Sequence, residues 1–329
     1  MFTEELKAYN KASYALLYCR TSEEYRCLTA TKETAKALKV YFGVWTVTKG
    51  WRVENGTVSS EEITDPVQAL KQIEKFKAGI YTLVNFHSYL ENPETIQVLK
   101  DLIVRCRKEN ITLLFVSNIT KIPPELSRDF TLISFSLPDE AELKDCLESL
   151  ARSALQIPLP EDTSRIIDAG KGLTYSEYAD ALALTLVKNK NWNAEAVLQE
   201  KVKVLEQSNV RYYKPSLSLA DVGGLDNLKE WAVSVSATFE ARAKAAKISP
   251  PKGLLLVGVP GCGKSYVMKA LANAWKIPLL WGDIAASYSK YLGETEEKMK
   301  YMVEVARTMS RCSLGIDELE KGIAGFEGG

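Results

Sequence analysis

Histidine is almost absent from this chain: one residue, His87, in 329. That scarcity closes most routes to nucleophilic catalysis, because a Ser-His-Asp or Cys-His arrangement must pass its proton through His87 alone. His87 follows an apolar run in YTLVNFHSYL and reads as a strand-end residue, packed or hydrogen-bonded locally. The same scarcity argues against zinc, since none of the six cysteines, Cys19, Cys27, Cys106, Cys146, Cys262 and Cys312, stands in a C-x-x-C pair. They read as reduced thiols of a cytosol-like compartment. An excess of one charge is missing too. Lys+Arg and Asp+Glu balance at 42 each, and no basic, aromatic-rich stripe appears, so no nucleic acid is expected as a partner. No apolar run approaches about 18 residues, so no membrane insertion is expected. The opening MFTEELKAYNKASY lacks a basic start followed by an apolar block, and it is too acidic for an organelle transit peptide.

What is present is a repeated alternation of apolar strand-like runs and helical spacing. YALLYC, VWTV, IYTLVNF, ITLLFVSN and FTLISFSL read as five strands. Between them, Glu23 to Val40, DPVQALKQIEKF and NPETIQVLKDLIVRCRK read as helices, the last two started by Asp65-Pro66 and Asn92-Pro93. Continuous apolar strands alternating with helices predict a parallel sheet covered on both faces. From Asp139 to about Glu206 the pattern is helical only, and SNVRYYKPSLSLA reads as a linker. The alternation then restarts with GLLLVG, PLLWGD and CSLGID as strands. The expected division is an α/β domain over 1–138, a helical subdomain over 139–206, a linker over 207–218 and a second α/β core over 219–329.

GVPGCGKS, Gly258 to Ser265, fits G-x-x-x-x-G-K-[ST], a phosphate-binding loop between a strand and a helix. Glycines let the backbone wrap until its N–H groups point at phosphate oxygens, and the following helix aims its positive end at the same anion. Gly258, Pro260, Gly261, Cys262, Gly263, Lys264, Ser265 and Tyr266 are therefore the expected ATP-binding residues. Lys264 is expected on the β- and γ-phosphates and the Ser265 hydroxyl on Mg²⁺. CSLGIDE ends an apolar strand in two acids, placing Asp317 near Mg²⁺ and Glu318 near the attacking water. ATP and Mg²⁺ are the expected cofactors, with Lys264 and Glu318 in the catalytic roles.

LADVGGLDNLKEWA and SKYLGETEEKMK, on either side of the phosphate-loop unit, together resemble the AAA branch of the AAA+ ATPases. The resemblance implies that Asp221, Val222 and Gly223 line the adenine pocket. It also implies that Lys290, Tyr291 and Leu292 sit on a loop facing the pore of a homo-hexamer. VYFGVWTVTKGW, LVNFHSYL, ITKIPPELSRDF and FSLPDEAEL narrow the resemblance to one poorly characterised subgroup, encoded in algal plastid genomes and in cyanobacteria. It covers nearly the whole chain and implies two AAA-like modules in tandem, the first degenerate. CRTSEEYRC, after the first strand, has no glycine loop and no Lys-Ser/Thr, and the third strand ends in Asn85 rather than a carboxylate. The location implied is cytoplasmic, or the plastid stroma for a plastid-encoded chain.

The family pattern runs on beyond Asp317-Glu318 to a further strand with a polar sensor, an arginine finger, a fifth strand and a helical lid. The second module is therefore expected to be incomplete, truncated after the Asp-Glu strand. In that pattern the missing strand lies between the phosphate-loop strand and the Asp317 strand, so the two halves of the site would share no sheet bond and would expose apolar edges. Gly315, where the family usually has a bulky residue, is expected to weaken its strand. The function implied is ATP binding, with Mg²⁺-dependent hydrolysis in the full-length form driving the remodelling of an unknown protein client. A non-enzymatic nucleotide-binding adaptor or decoy is the alternative.

Overall fold

Two prolines placed one residue after a side-chain cap set the helices of the N-terminal half. Asp65 accepts from the Gln68 N–H at 2.8 Å and starts α3 (Pro66–Gln72). Asn92 accepts from the Glu94 N–H at 2.9 Å and starts α4 (Pro93–Glu109). Proline has no N–H to lose at the first helical position, and the cap satisfies a neighbouring donor. The computed structural model describes residues 2–54, 63–153, 157–207, 210–213, 216–239, 243, 246–249, 251–283, 302–309 and 312–317. The chain divides into two compact units, Met1–Ser136 and Leu137–Gly329.

The first unit is a six-stranded sheet in the order β3-β2-β4-β5-β1-β6. Its strands are β1 (Leu16–Arg20), β2 (Tyr41–Thr46), β3 (Gly50–Glu54), β4 (Gly79–Val84), β5 (Ile111–Ser117) and β6 (Phe130–Ser134). All pairings are parallel except β2 with β3. β3 was not expected: it folds back through a turn in which Gly50 has φ 60°, and it sets Trp51 opposite Trp45. Side chains alternate across the sheet. Leu16, Tyr18, Leu83 and Phe115 pack with α3 and α4 on one face, while Leu17, Cys19, Leu114 and Val116 meet α1 (Phe2–Lys11) and α2 (Glu24–Leu38) on the other. Both faces are covered, which is why β4 and β5 are apolar along their length. α1 was also absent from the sequence reading.

The second unit begins with four helices, α5 (Glu140–Ser153), α6 (Ser164–Gly170), α7 (Tyr175–Asn189) and α8 (Ala194–Gln207). α7 starts with a reciprocal Thr174–Glu177 capping box. A three-stranded sheet follows, in the order β7-β8-β9: β7 (Val210–Tyr213), β8 (Leu279–Asp283) and β9 (Ser313–Asp317). β7 falls in the segment read as a linker; it pairs antiparallel with β8 and buries Val210. Leu205 of α8 and Val210 of β7 share a core with Leu280, Met302 and Val305. Two more helices, α9 (Asp226–Ser236) and α10 (Lys264–Ala274), pack together through Ala232, Val267, Ala270 and Leu271.

GLLLVG departs from expectation. Gly253–Gly258 belongs to neither sheet, and Leu255 and Val257 are 75% and 86% exposed. The corresponding run in the first unit, β1, is held between β5 and β6. Among the described residues no strand flanks 253–258, so its apolar sequence finds no ladder. Gly315 has a packing reason in β9. It pairs directly with Trp281, and a Cβ at this position would lie 3.3 Å from the Trp281 ring and 3.2 Å from Leu279 Cδ1. The missing side chain makes room for its neighbours.

Candidate nucleotide site

α10 supplies the site's first half. Its first turn carries no acid, and Gly263 precedes it with φ 90°. Gly261 has φ 79°. Both lie in the left-handed region, where any other residue is strained. A Cβ built on either meets nothing within 4 Å, so backbone conformation rather than crowding calls for glycine there. Gly258 is constrained by contact: a Cβ there would stand 2.8 Å from the Cys262 sulfur. The Lys264 ammonium donates to the carbonyls of Gly258 at 2.8 Å and Val259 at 3.0 Å. The loop thus holds its own cation over its mouth. Pro260 lies in the turn, Cys262 is an exposed thiol, and Tyr266 points to solvent from the first turn of α10.

β9 supplies the second half. The Ser265 hydroxyl donates to Asp317 Oδ2 at 3.3 Å across 52 positions of sequence. Neighbouring ligands of an octahedral Mg²⁺ are separated by about 3.0 Å when each bond is about 2.1 Å. The two oxygens are therefore spaced close to one edge of such an octahedron, and Ser265 and Asp317 fit a shared Mg²⁺. No group of three or more His, Cys, Asp or Glu gathers among the described residues.

The segment before α9 closes one flank. Val222 is buried against Val267, Ala270 and Leu271 of α10. Asp221 is turned elsewhere: its carboxylate accepts from the Ser218 N–H at 2.8 Å and completes a capping box on the 3₁₀ turn Leu219–Asp221. Gly223 is exposed. Three residues that the motif reading missed hold this segment and α9 against α10. Asn273 donates to the Leu217 carbonyl at 2.8 Å, Trp275 donates to the Ala232 carbonyl at 3.0 Å, and Trp231 meets Trp275 edge-on. The two tryptophans, in a chain with six, were the available signal. Glu318, Lys290, Tyr291 and Leu292 lie outside the described residues.

The first unit repeats the junction with different chemistry. Only Thr21, Ser22 and Glu23 separate β1 from α2. Thr21 donates its N–H to the Ser117 carbonyl, and the Thr21 hydroxyl accepts from the Glu23 N–H. The buried Glu23 carboxylate pairs with Arg26 at 2.8 Å. Glu24, in the first turn of α2, accepts from Asn85 at the end of β4 at 2.8 Å. His87 is likewise engaged locally, with Ser117 Oγ 2.8 Å from its Nδ1.

Comparison with known proteins matches two parts of the chain to two family models. Residues 2–135 match a family model described as the N-terminal domain of SpoVK-like AAA ATPases. Residues 254–325 match the AAA model, the ATPase family associated with various cellular activities. The chain is 32% identical over 335 residues to the uncharacterized AAA domain-containing protein ycf46 of Guillardia theta, covering 98% of this chain and 65% of that protein. It is 29% identical over 328 residues to the protein of the same name from Trieres chinensis, covering 97% of this chain and 66% of the relative. A shorter stretch, 109 residues, 29% of this chain and 20% of the relative, is 37% identical to an AAA ATPase forming ring-shaped complexes from Corynebacterium efficiens. This chain therefore spans 65% and 66% of the two longer-matching relatives.

Proposed function

Two parts of the chain match AAA ATPase family models and its relatives carry AAA names; on that ground we propose that the chain is an AAA ATPase whose second unit binds ATP with Mg²⁺ and hydrolyses it, and that the cycle remodels a protein partner. The observation that carries the reading is the 3.3 Å approach of Ser265 to Asp317 at the mouth of a glycine loop in left-handed conformation. Bound Mg²⁺-ATP supplies the phosphoanhydride to be cleaved and a metal that neutralises charge on the phosphates. The protein's part is positional. Lys264 exchanges two neutral carbonyls for phosphate oxygens, a stronger, charge-assisted contact. Ser265 and Asp317 hold the metal and its water, and Glu318 polarises the attacking water. Val222 and the α9–α10 contact form the side of the site toward the base.

A ring, a homo-hexamer in the full-length protein, is part of the proposal. It is supported by the short likeness to a protein named for ring-shaped complexes. The client would pass Lys290, Tyr291 and Leu292, and the location would be cytoplasmic, or the plastid stroma for a plastid-encoded chain. A second reading, a nucleotide-binding adaptor without turnover, draws on the unpaired segment 253–258 and the acid-blocked junction of the first unit. Titration with Mg²⁺-ATP and a phosphate-release assay separate the two. The ATPase reading expects Lys264→Ala to abolish binding and Glu318→Gln to keep binding while abolishing turnover. Binding unchanged in Lys264→Ala refutes the site, and binding without turnover in the wild type selects the adaptor.

A further inference from the structure

A lysine lies in the core of the second unit. Val197, Lys201 and Leu205 are spaced four apart on α8 and form one buried face, with Lys201 only 1% exposed. Its ammonium donates to the carbonyl of Lys171, the residue that closes α6. The cation thus stands at the negative end of that helix. The Lys171 side chain is drawn away, to Asp168 at 2.6 Å and Glu140 at 2.8 Å. Burial lowers the Lys201 pKa to about 8, with Lys171 acting in the same direction and Cys312 and Asp168 opposing. A methionine would fill the same volume without desolvating a charge, so stability alone does not favour lysine here. What lysine adds is a directed bond to one carbonyl.

That carbonyl belongs to a turn on which the nucleotide site rests. The next residue, Gly172, has φ 93°, and a Cβ there would lie 3.2 Å from Val305 Cγ1 and 3.5 Å from both Thr308 Oγ1 and Met309 Cγ. The turn therefore lies directly on the helical residues 302–308. Met302 and the same Val305 share a buried cluster with Leu280 of β8. The Cys312 thiol donates to the Ala306 carbonyl at 3.4 Å, and the Ser313 N–H donates to the Pro278 carbonyl at 2.8 Å, which starts β9. β9 ends at Asp317, opposite Ser265.

We propose that Lys201 is a positioning residue of the metal half of the site: by holding the Lys171–Gly172 turn, it fixes the helix at 302–308 and hence where β9 presents Asp317 to Ser265. The proposal rests on the ATP-binding reading above and adds to it a role for the helical subdomain. Lys201 touches neither nucleotide nor metal, so its loss affects the Mg²⁺-dependent part of binding and leaves the phosphate loop alone.

The test compares ATP affinity with Mg²⁺ and with EDTA in the full chain. In Lys201→Met the EDTA affinity stays within about twofold of wild type, while the enhancement by Mg²⁺ falls about tenfold, the scale of losing a group that orients a metal ligand. A purely structural lysine moves both affinities together or neither, and either result overturns the proposal. Should Lys201→Met not fold by circular dichroism, Gly172→Ala, which displaces the turn from the opposite side, must lose the same enhancement. An unchanged enhancement there is equally fatal. Wild type that binds no ATP in either condition overturns the nucleotide function itself, a result seen before any variant is made.

Discussion

The two units present the same junction in opposite polarity. In each, the start of a helix meets the end of a strand: Glu24 with Asn85 at 2.8 Å in the first, Ser265 with Asp317 at 3.3 Å in the second. In the second unit the helix start carries a cation, a hydroxyl and two left-handed glycines, and the strand end carries the acid. In the first, the acid has moved to the helix start and a neutral amide stands on the strand. A carboxylate at a helix N-terminus is favoured by the dipole and fills the place where phosphate would bind. Glu23 beside it is buried and paired with Arg26. On the proposed reading the second junction takes an anion, while in the first a carboxylate of the chain itself stands at the helix start.

The largest effect that separates the units falls on Asp317. Asp317→Asn should reduce the Mg²⁺ enhancement of ATP affinity by about 10- to 100-fold. Asn85→Asp should confer none on the first unit, because Glu24 stays opposite it. Isothermal titration of both variants measures this. Next is Lys201→Met. The folded pKa of Lys201 is depressed to about 8 from 10.5, so the unfolded chain binds more protons between those values and stability rises with pH across the window. Below pH 8 the wild type bears the full cost, on the order of 3 kcal/mol. Lys201→Met should therefore raise the thermal midpoint at pH 7, with the advantage fading towards pH 10.5. Gly263→Ala should weaken ATP binding about tenfold through left-handed strain of about 1–2 kcal/mol, in titrations with or without Mg²⁺. The smallest effect is structural. Asn85→Asp sets like charges together at a partly exposed site and should lower the stability of the first unit by about 0.5 kcal/mol in a denaturant titration.

Elements fixed by local chemistry were legible in the sequence. Asp65-Pro66 and Asn92-Pro93 announced α3 and α4, and the apolar runs of β4 and β5 announced a sheet covered on both faces. β3, β7 and α6 were not legible, since each is short and draws its order from partners: Trp51 from Trp45, Val210 from Leu205 and Leu280, Ile166 and Ile167 from Leu143 and Tyr178. GLLLVG errs in the other direction. Its composition is that of a strand, but a ladder needs a neighbour, and pairing is a long-range property. The glycine loop could be read because its conformation demands particular residues at fixed spacing. Lys201 could not, because EKVKVLEQ resembles a solvated helix face until Gly172 and Val305 pack beside it.

One titration decides between the two junctions: the stoichiometry of Mg²⁺-ATP on the full chain, with wild type, Lys264→Ala and Glu24→Gln compared side by side. One nucleotide per chain, lost in Lys264→Ala and retained in Glu24→Gln, is the expected result. Two nucleotides per chain, or one that survives Lys264→Ala, would contradict it, because the first unit would then be binding phosphate despite its acid-filled helix start.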